Sequence, residues 1–175
     1  PAIAFVLTVP QLASYLLGDP VPAEAVAVVL GFWLVNAVAA GGEEARRPLD
    51  RLRPATVTLL LADAAFTIWG GFTAAAGPAE SWRGGFLTIL AAAHLVMGLF
   101  FLARHGDRHP FGLVVAATGV ATLTMAVPVQ LGAPVVPIAW TAEAVALAWV
   151  AVARRHPYSA FVGVVLGTLA LVHLV

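Results

Sequence analysis

Cysteine and lysine are both absent from the 175 residues of this chain. Without cysteine there are no disulfides, no thiolate metal sites and no thiol nucleophile. Without lysine there is no Schiff-base amine, which excludes a seven-helix retinal protein, and no phosphate-loop lysine. Charge is scarce as well. Charged residues make up 10% of the chain, against roughly 25% in soluble domains. Net charge is zero, and no basic patch exists outside a few loops, so nucleic acid is excluded as a partner. No hydrolase elbow, zinc motif or phosphate cradle appears, and no signal peptide is visible. What remains is apolar: 61% of residues are hydrophobic and the mean hydropathy is +0.95. A water-soluble protein of this size has too little interior to hide that surface.

The few cations are placed with order. Arg46, Arg47, Arg51 and Arg53 lie in one loop, Arg104 and Arg108 in another, Arg154 and Arg155 in a third. The alternate loops hold only Arg83. Between the loops run apolar stretches, and a spanning helix needs roughly 17–25 such residues. The pattern predicts an all-α polytopic transmembrane bundle with seven spans. They lie near residues 2–17, 22–40, 54–76, 82–103, 110–127, 134–153 and 158–175. With the Arg-rich loops cytoplasmic, the N-terminus is inside and the C-terminus outside.

Local punctuation agrees with these bounds. Gly18-Asp19-Pro20, Gly41-Gly42, Gly77-Pro78 and Gly132 through Pro134 read as turns. Pro22, Pro54 and Pro110 suit first-turn positions, where the missing N–H costs little. Pro10 falls inside the first span, where a kink is expected. Trp69, Trp82 and Trp140 fall near outer helix ends, as interfacial aromatics do; Trp33 is deeper, at a helix–helix contact. Gly163 and Gly167 form a GxxxG, which favours close helix approach, although chance matches abound in a Gly- and Ala-rich chain. Ala23 to Ala27 (AEAVA) recurs as Ala142 to Ala146 on another inward-running span. A duplicated two-helix unit and chance repetition both account for that match.

Three ionisable residues fall deep inside spans, where charge is costly and function is the default hypothesis. Asp63 lies ten residues past Arg53, His94 ten before Arg104, and Glu143 eleven before Arg154. At 1.5 Å rise per residue each is roughly 15 Å from the inner boundary, hence near the middle of a hydrocarbon core about 30 Å thick. Asn36, ten residues before Arg46, shares that depth. Together they form a candidate midplane polar layer: a proton or cation site if the helices converge there, or interhelical hydrogen bonds that specify packing if they do not. His173 lies about 10 Å from the depth of His94, which argues against a haem held by two histidines. His105, His109 and His156 sit among loop Arg residues and read as solvated interfacial histidines, with no metal site. Asp19 and Glu24, on the outer side, form an acid pair that an intramembrane enzyme would need. Acids at a turn and a helix start are also common, because they complement the helix dipole.

The stretch from Thr124 to Trp149 carries Ala126-Val127-Pro128, Leu131-Gly132, Ala139-Trp140, Glu143-Ala144, Leu147 and Trp149. Over these residues the chain resembles a bacterial family of polytopic membrane proteins known as domain of unknown function 2339. Elsewhere the likeness is general, an alternation of apolar helices and Arg-rich turns. The resemblance implies an array of many transmembrane helices, longer than this chain, and singles out Pro128, Gly132, Trp140, Glu143 and Trp149 as its characteristic residues. It implies no activity.

The expectation is therefore a multi-pass protein of a bacterial inner membrane, from a GC-rich genome by its Ala, Gly, Val and Arg usage. The start at Pro1 and the end at Val175 within an apolar run are read as those of a fragment. The leading expectation for function is a membrane-embedded scaffold or accessory module, not an enzyme and without a cofactor. Its partners are lipids and other transmembrane helices of a longer chain or membrane complex. The rival is a proton- or cation-coupled transporter using Asp63, His94 and Glu143, and an intramembrane enzyme stands a distant third.

Overall fold

The computed structural model describes residues 2–18, 20–46, 53–131, 136–154, 163–165, 167–168 and 170–172. Among these residues six helices follow one another: α1 Ala2–Leu16, α2 Pro22–Arg46, α3 Pro54–Ala74, α4 Trp82–His105, α5 Pro110–Leu131 and α6 Val136–Arg154. A single 3₁₀ turn, Gly77–Ala79, precedes α4. Further helical residues lie between 163 and 172, and no strand occurs among the described residues. Among the described residues four helices, α2 to α5, are long and apolar enough to cross a membrane, which fits an integral membrane protein.

The helix limits follow the chemistry of the chain. Pro54 opens α3 after an extended Arg53, and Pro22 and Pro110 open α2 and α5. Gly106 ends α4 with φ +101°, a backbone state that side-chain-bearing residues rarely adopt. Gly77, at φ +58°, turns the chain between α3 and α4.

Two sequence boundaries require correction. Gly41-Gly42 is not a turn: α2 runs through it to Arg46. Gly41 rests against Phe101 and Met97, and the extra turn carries Glu44 into a buried position on the same face. Likewise α5 does not stop at Val127 but passes Pro128 and ends at Leu131. Proline removes one backbone hydrogen bond, and membrane helices tolerate that loss. Pro10 similarly lies within α1. The seventh predicted span, 158–175, lies largely outside the described residues.

The chain divides into two compact units, residues 1–123 and 124–175. In the first, α2 and α3 form an antiparallel pair: Val29 packs on Gly70, Phe32 on Phe66, and Glu43 pairs with Arg53 at 3.2 Å. Phe5 of α1 joins Phe32 and Phe66. Between α4 and α5 the seam is made of small residues. A Cβ on Gly98 would stand 2.5 Å from the backbone nitrogen of Ala116, and one on Gly119 would stand 2.8 Å from that of Leu95. Such close backbone approach is how apolar helices gain van der Waals contact where no water drives association. In the second unit, Gly167 lies in ordinary contact range of Ala144.

Candidate functional site

Three of the four polar-layer residues lie in the first unit, and all three are buried: Asn36 on α2 (8% exposed), Asp63 on α3 (1%) and His94 on α4 (0%). The packing relates them to one another. The α2–α3 register that sets Val29 on Gly70 brings Asn36 beside Asp63. On the α3–α4 side Gly71 meets Phe86, and the same antiparallel register brings His94 to the level of Asp63.

His94 is fully engaged. Its Nδ1 lies 2.9 Å from the Leu90 carbonyl oxygen, which only accepts, so Nδ1 carries the proton. Nε2 then accepts from the Trp33 indole N–H at 3.3 Å. The two rings sit 5.2 Å apart. Donor and acceptor are both used, one of them on a neighbouring helix, and the deep placement of Trp33 at a helix contact holds.

Asp63 differs. Neither carboxylate oxygen has a hydrogen-bond partner among the described residues, and neither does the hydroxyl of Thr67, one turn further along α3 and fully buried. Asn36 donates to the Phe32 carbonyl at 3.0 Å, and its amide lies beside the carboxyl.

Glu143 belongs to the second unit. Both its oxygens lie 2.8 Å from the Thr124 hydroxyl, which ties α6 to the last part of α5. Of the family-like residues, Pro128 lies inside α5 and Trp140 is half-buried on α6. Trp149 falls in α6, with its side chain outside the described residues, as is Gly132. His156 and His173 also lie outside them, and so does Asp19, one half of the outer acid pair. Glu24, the other half, is exposed in the first turn of α2.

A second polar cluster, at the Arg-rich end of the first unit, was not anticipated. Glu44 and His109 are both buried, with Nε2 of His109 3.5 Å from Oε1 of Glu44. The Nδ1 of His109 accepts from the Gly112 N–H at 3.3 Å, satisfying a free donor in the first turn of α5. Phe101 stacks on His105 and His109 at 5.9 and 5.8 Å. His109 is thus not the solvated histidine of the sequence reading: the Gly106 turn folds it back under α2 and α4. An open concavity of about 740 Å³ lies at this turn, lined by Leu102, His105, Arg108 and His109 among others.

The ends of the unit are chemically distinct. Arg53, Arg104, Arg108, His105 and His109 gather at one end, since Glu43 meets Arg53 and Glu44 meets His109. The opposite end carries Trp69 and Trp82, both exposed. There the solitary Arg83 pairs with Glu80 and covers the Phe72 ring.

Among the described residues no group of three or more His, Asp or Glu is arranged to hold a metal ion. No protein-family model matches the chain, and no curated protein or solved structure matches it at a level that shows kinship. The resemblance to domain of unknown function 2339 is therefore carried by its own residues alone.

Proposed function

We propose that this chain is a multi-pass protein of a bacterial inner membrane that serves as a membrane-embedded scaffold or accessory module of a larger membrane protein or complex. The observation that carries the reading is that deep polar side chains meet neighbouring helices one by one: His94 meets Trp33, and Glu143 meets Thr124. Such pairs specify which helices pack and in what register. A carrier in which Asp63, His94 and Glu143 relay protons needs a free nitrogen on His94, and both are taken. An enzyme built on Asp19 and Glu24 gains no support from Glu24, which is exposed at a helix start. Exposed apolar residues such as Ile89, Val96, Leu99 and Phe100 on α4 suit lipid or further helices as partners. Seven spans with the N-terminus inside and the C-terminus outside, and membership of domain of unknown function 2339, belong to the same proposal. The gathering of Arg side chains at one end of the first unit supports that orientation.

Two experiments test this reading. Proteoliposomes containing the protein should hold proton and sodium gradients as long as empty liposomes do. A flux abolished by Glu143→Gln would overturn the scaffold reading in favour of the carrier. Orientation is testable because the chain has no native cysteine. A single Asp107→Cys thiol should react only with reagent on the cytoplasmic side, and a single Glu80→Cys thiol only with reagent outside; the reverse pattern would invert the topology.

A further inference from the structure

The Asp63 carboxyl raises a question of charge balance that no residue around it answers. It is 1% exposed, and neither oxygen is hydrogen-bonded among the described residues. The hydroxyl of Thr67, also buried and also without a bond, lies one turn away on the same face of α3. Residues four apart on a helix are neighbours, with Cβ atoms roughly 6 Å apart. The Asn36 amide approaches from α2. The helices packed on α3 supply no compensating charge at this level. On α1 the one titratable side chain is Tyr15. Glu24, Glu43, Glu44 and Arg46 lie at the ends of α2. Arg83, Arg104 and His105 lie at the ends of α4, and His94 in its middle is committed to Trp33 and Leu90. The nearest Arg along α3 is Arg53, ten residues and about 15 Å away. A bare carboxylate in such surroundings is expensive by many kcal/mol. A cation that the protein does not itself carry would remove that cost.

We propose that Asp63, Thr67 and Asn36 form an exchangeable site for one monovalent cation, a proton or a sodium ion, between α2 and α3. The carboxylate supplies the charge, the Thr67 hydroxyl supplies an oxygen donor of the kind that hard cations prefer, and the Asn36 amide lies beside the carboxylate on the α2 side. The site binds without transporting, so it stands independently of the scaffold reading. Flux measurements test that reading, and occupancy tests this one.

The measurement is infrared spectroscopy of the full chain in lipid, comparing wild type with Asp63→Asn. In choline chloride at neutral pH, the wild type shows the carbonyl stretch of a protonated carboxyl that Asp63→Asn lacks. If sodium replaces the proton, adding sodium chloride at constant ionic strength removes that band with a defined midpoint. If the site takes protons alone, the band ignores sodium and disappears only as pH rises. Thr67→Val, which keeps the carboxyl, shifts whichever midpoint is found by about tenfold, and it serves as the comparison should Asp63→Asn fail to fold. The proposal is overturned if no Asp63-dependent band appears at any pH and sodium leaves the spectrum unchanged. It is equally overturned if Thr67→Val titrates as the wild type does.

Discussion

His94 and Asp63 sit at one depth in one helical unit, both buried, yet their environments are opposite. The imidazole spends its one donor on the Leu90 carbonyl and its one acceptor on the Trp33 indole. The carboxyl offers two acceptors, and neither is met. Burial alone therefore does not distinguish a polar side chain that fastens helices from one that awaits a ligand. The completeness of its hydrogen bonding does. An unmet buried polar group costs about 1–3 kcal/mol and a charged one more, so His94 is at rest and Asp63 is not.

The sharpest way to break this contrast is to displace the frame that holds it. Gly98 lies one turn from His94, and a side chain there meets the backbone of Ala116, which cannot rotate aside. Gly98→Leu should destabilise the protein by about 3 kcal/mol or more, read as the loss of folded protein in detergent titration. Gly85, whose Cβ would meet nothing within 4 Å, provides the matched control: Gly85→Ala should change stability by about 0.5 kcal/mol or less.

Removing each polar group in turn sharpens the contrast. His94→Ala leaves the Trp33 N–H buried and unpaired, at a cost of about 2 kcal/mol. Asp63→Asn, in the absence of added sodium, removes a group with no bond to lose and should cost about 1 kcal/mol or less. Equal costs for the two would show that the Asp63 carboxyl fastens helices just as His94 does. Thr124→Val in the second unit deletes one interhelical hydrogen bond to Glu143 and should cost about 0.6 kcal/mol, the average found for such bonds within membranes. All three are measured by the same unfolding titration.

Much of this was legible in the sequence, for identifiable reasons. Position along each helix was, because helical rise is constant: Asn36 does lie beside Asp63. The direction in which each side chain points was not, because it depends on which helices are neighbours. The bond between Trp33 and His94, sixty-one residues apart, has no local signature. Glu44 was missed for a related reason. Gly41-Gly42 carries a strong turn signal in water, but the helix continues through it, and only continuation places Glu44 against His109. The clue was available in spacing, since Ala37, Ala40 and Glu44 fall on one helical face. The fifth span also runs past its expected end at Val127, through Pro128 to Leu131, since membrane helices tolerate an internal proline.

The central claim is that a buried polar residue whose hydrogen bonding is complete, as that of His94 is, fastens particular helices together. A double-mutant cycle on Trp33→Phe and His94→Leu, measured by unfolding in lipid, tests it most directly. The account predicts a favourable coupling of about 0.6–1.7 kcal/mol, the range found for interhelical hydrogen bonds in membranes. Additivity within about 0.3 kcal/mol would contradict it, because the two side chains would then be neighbours without being partners.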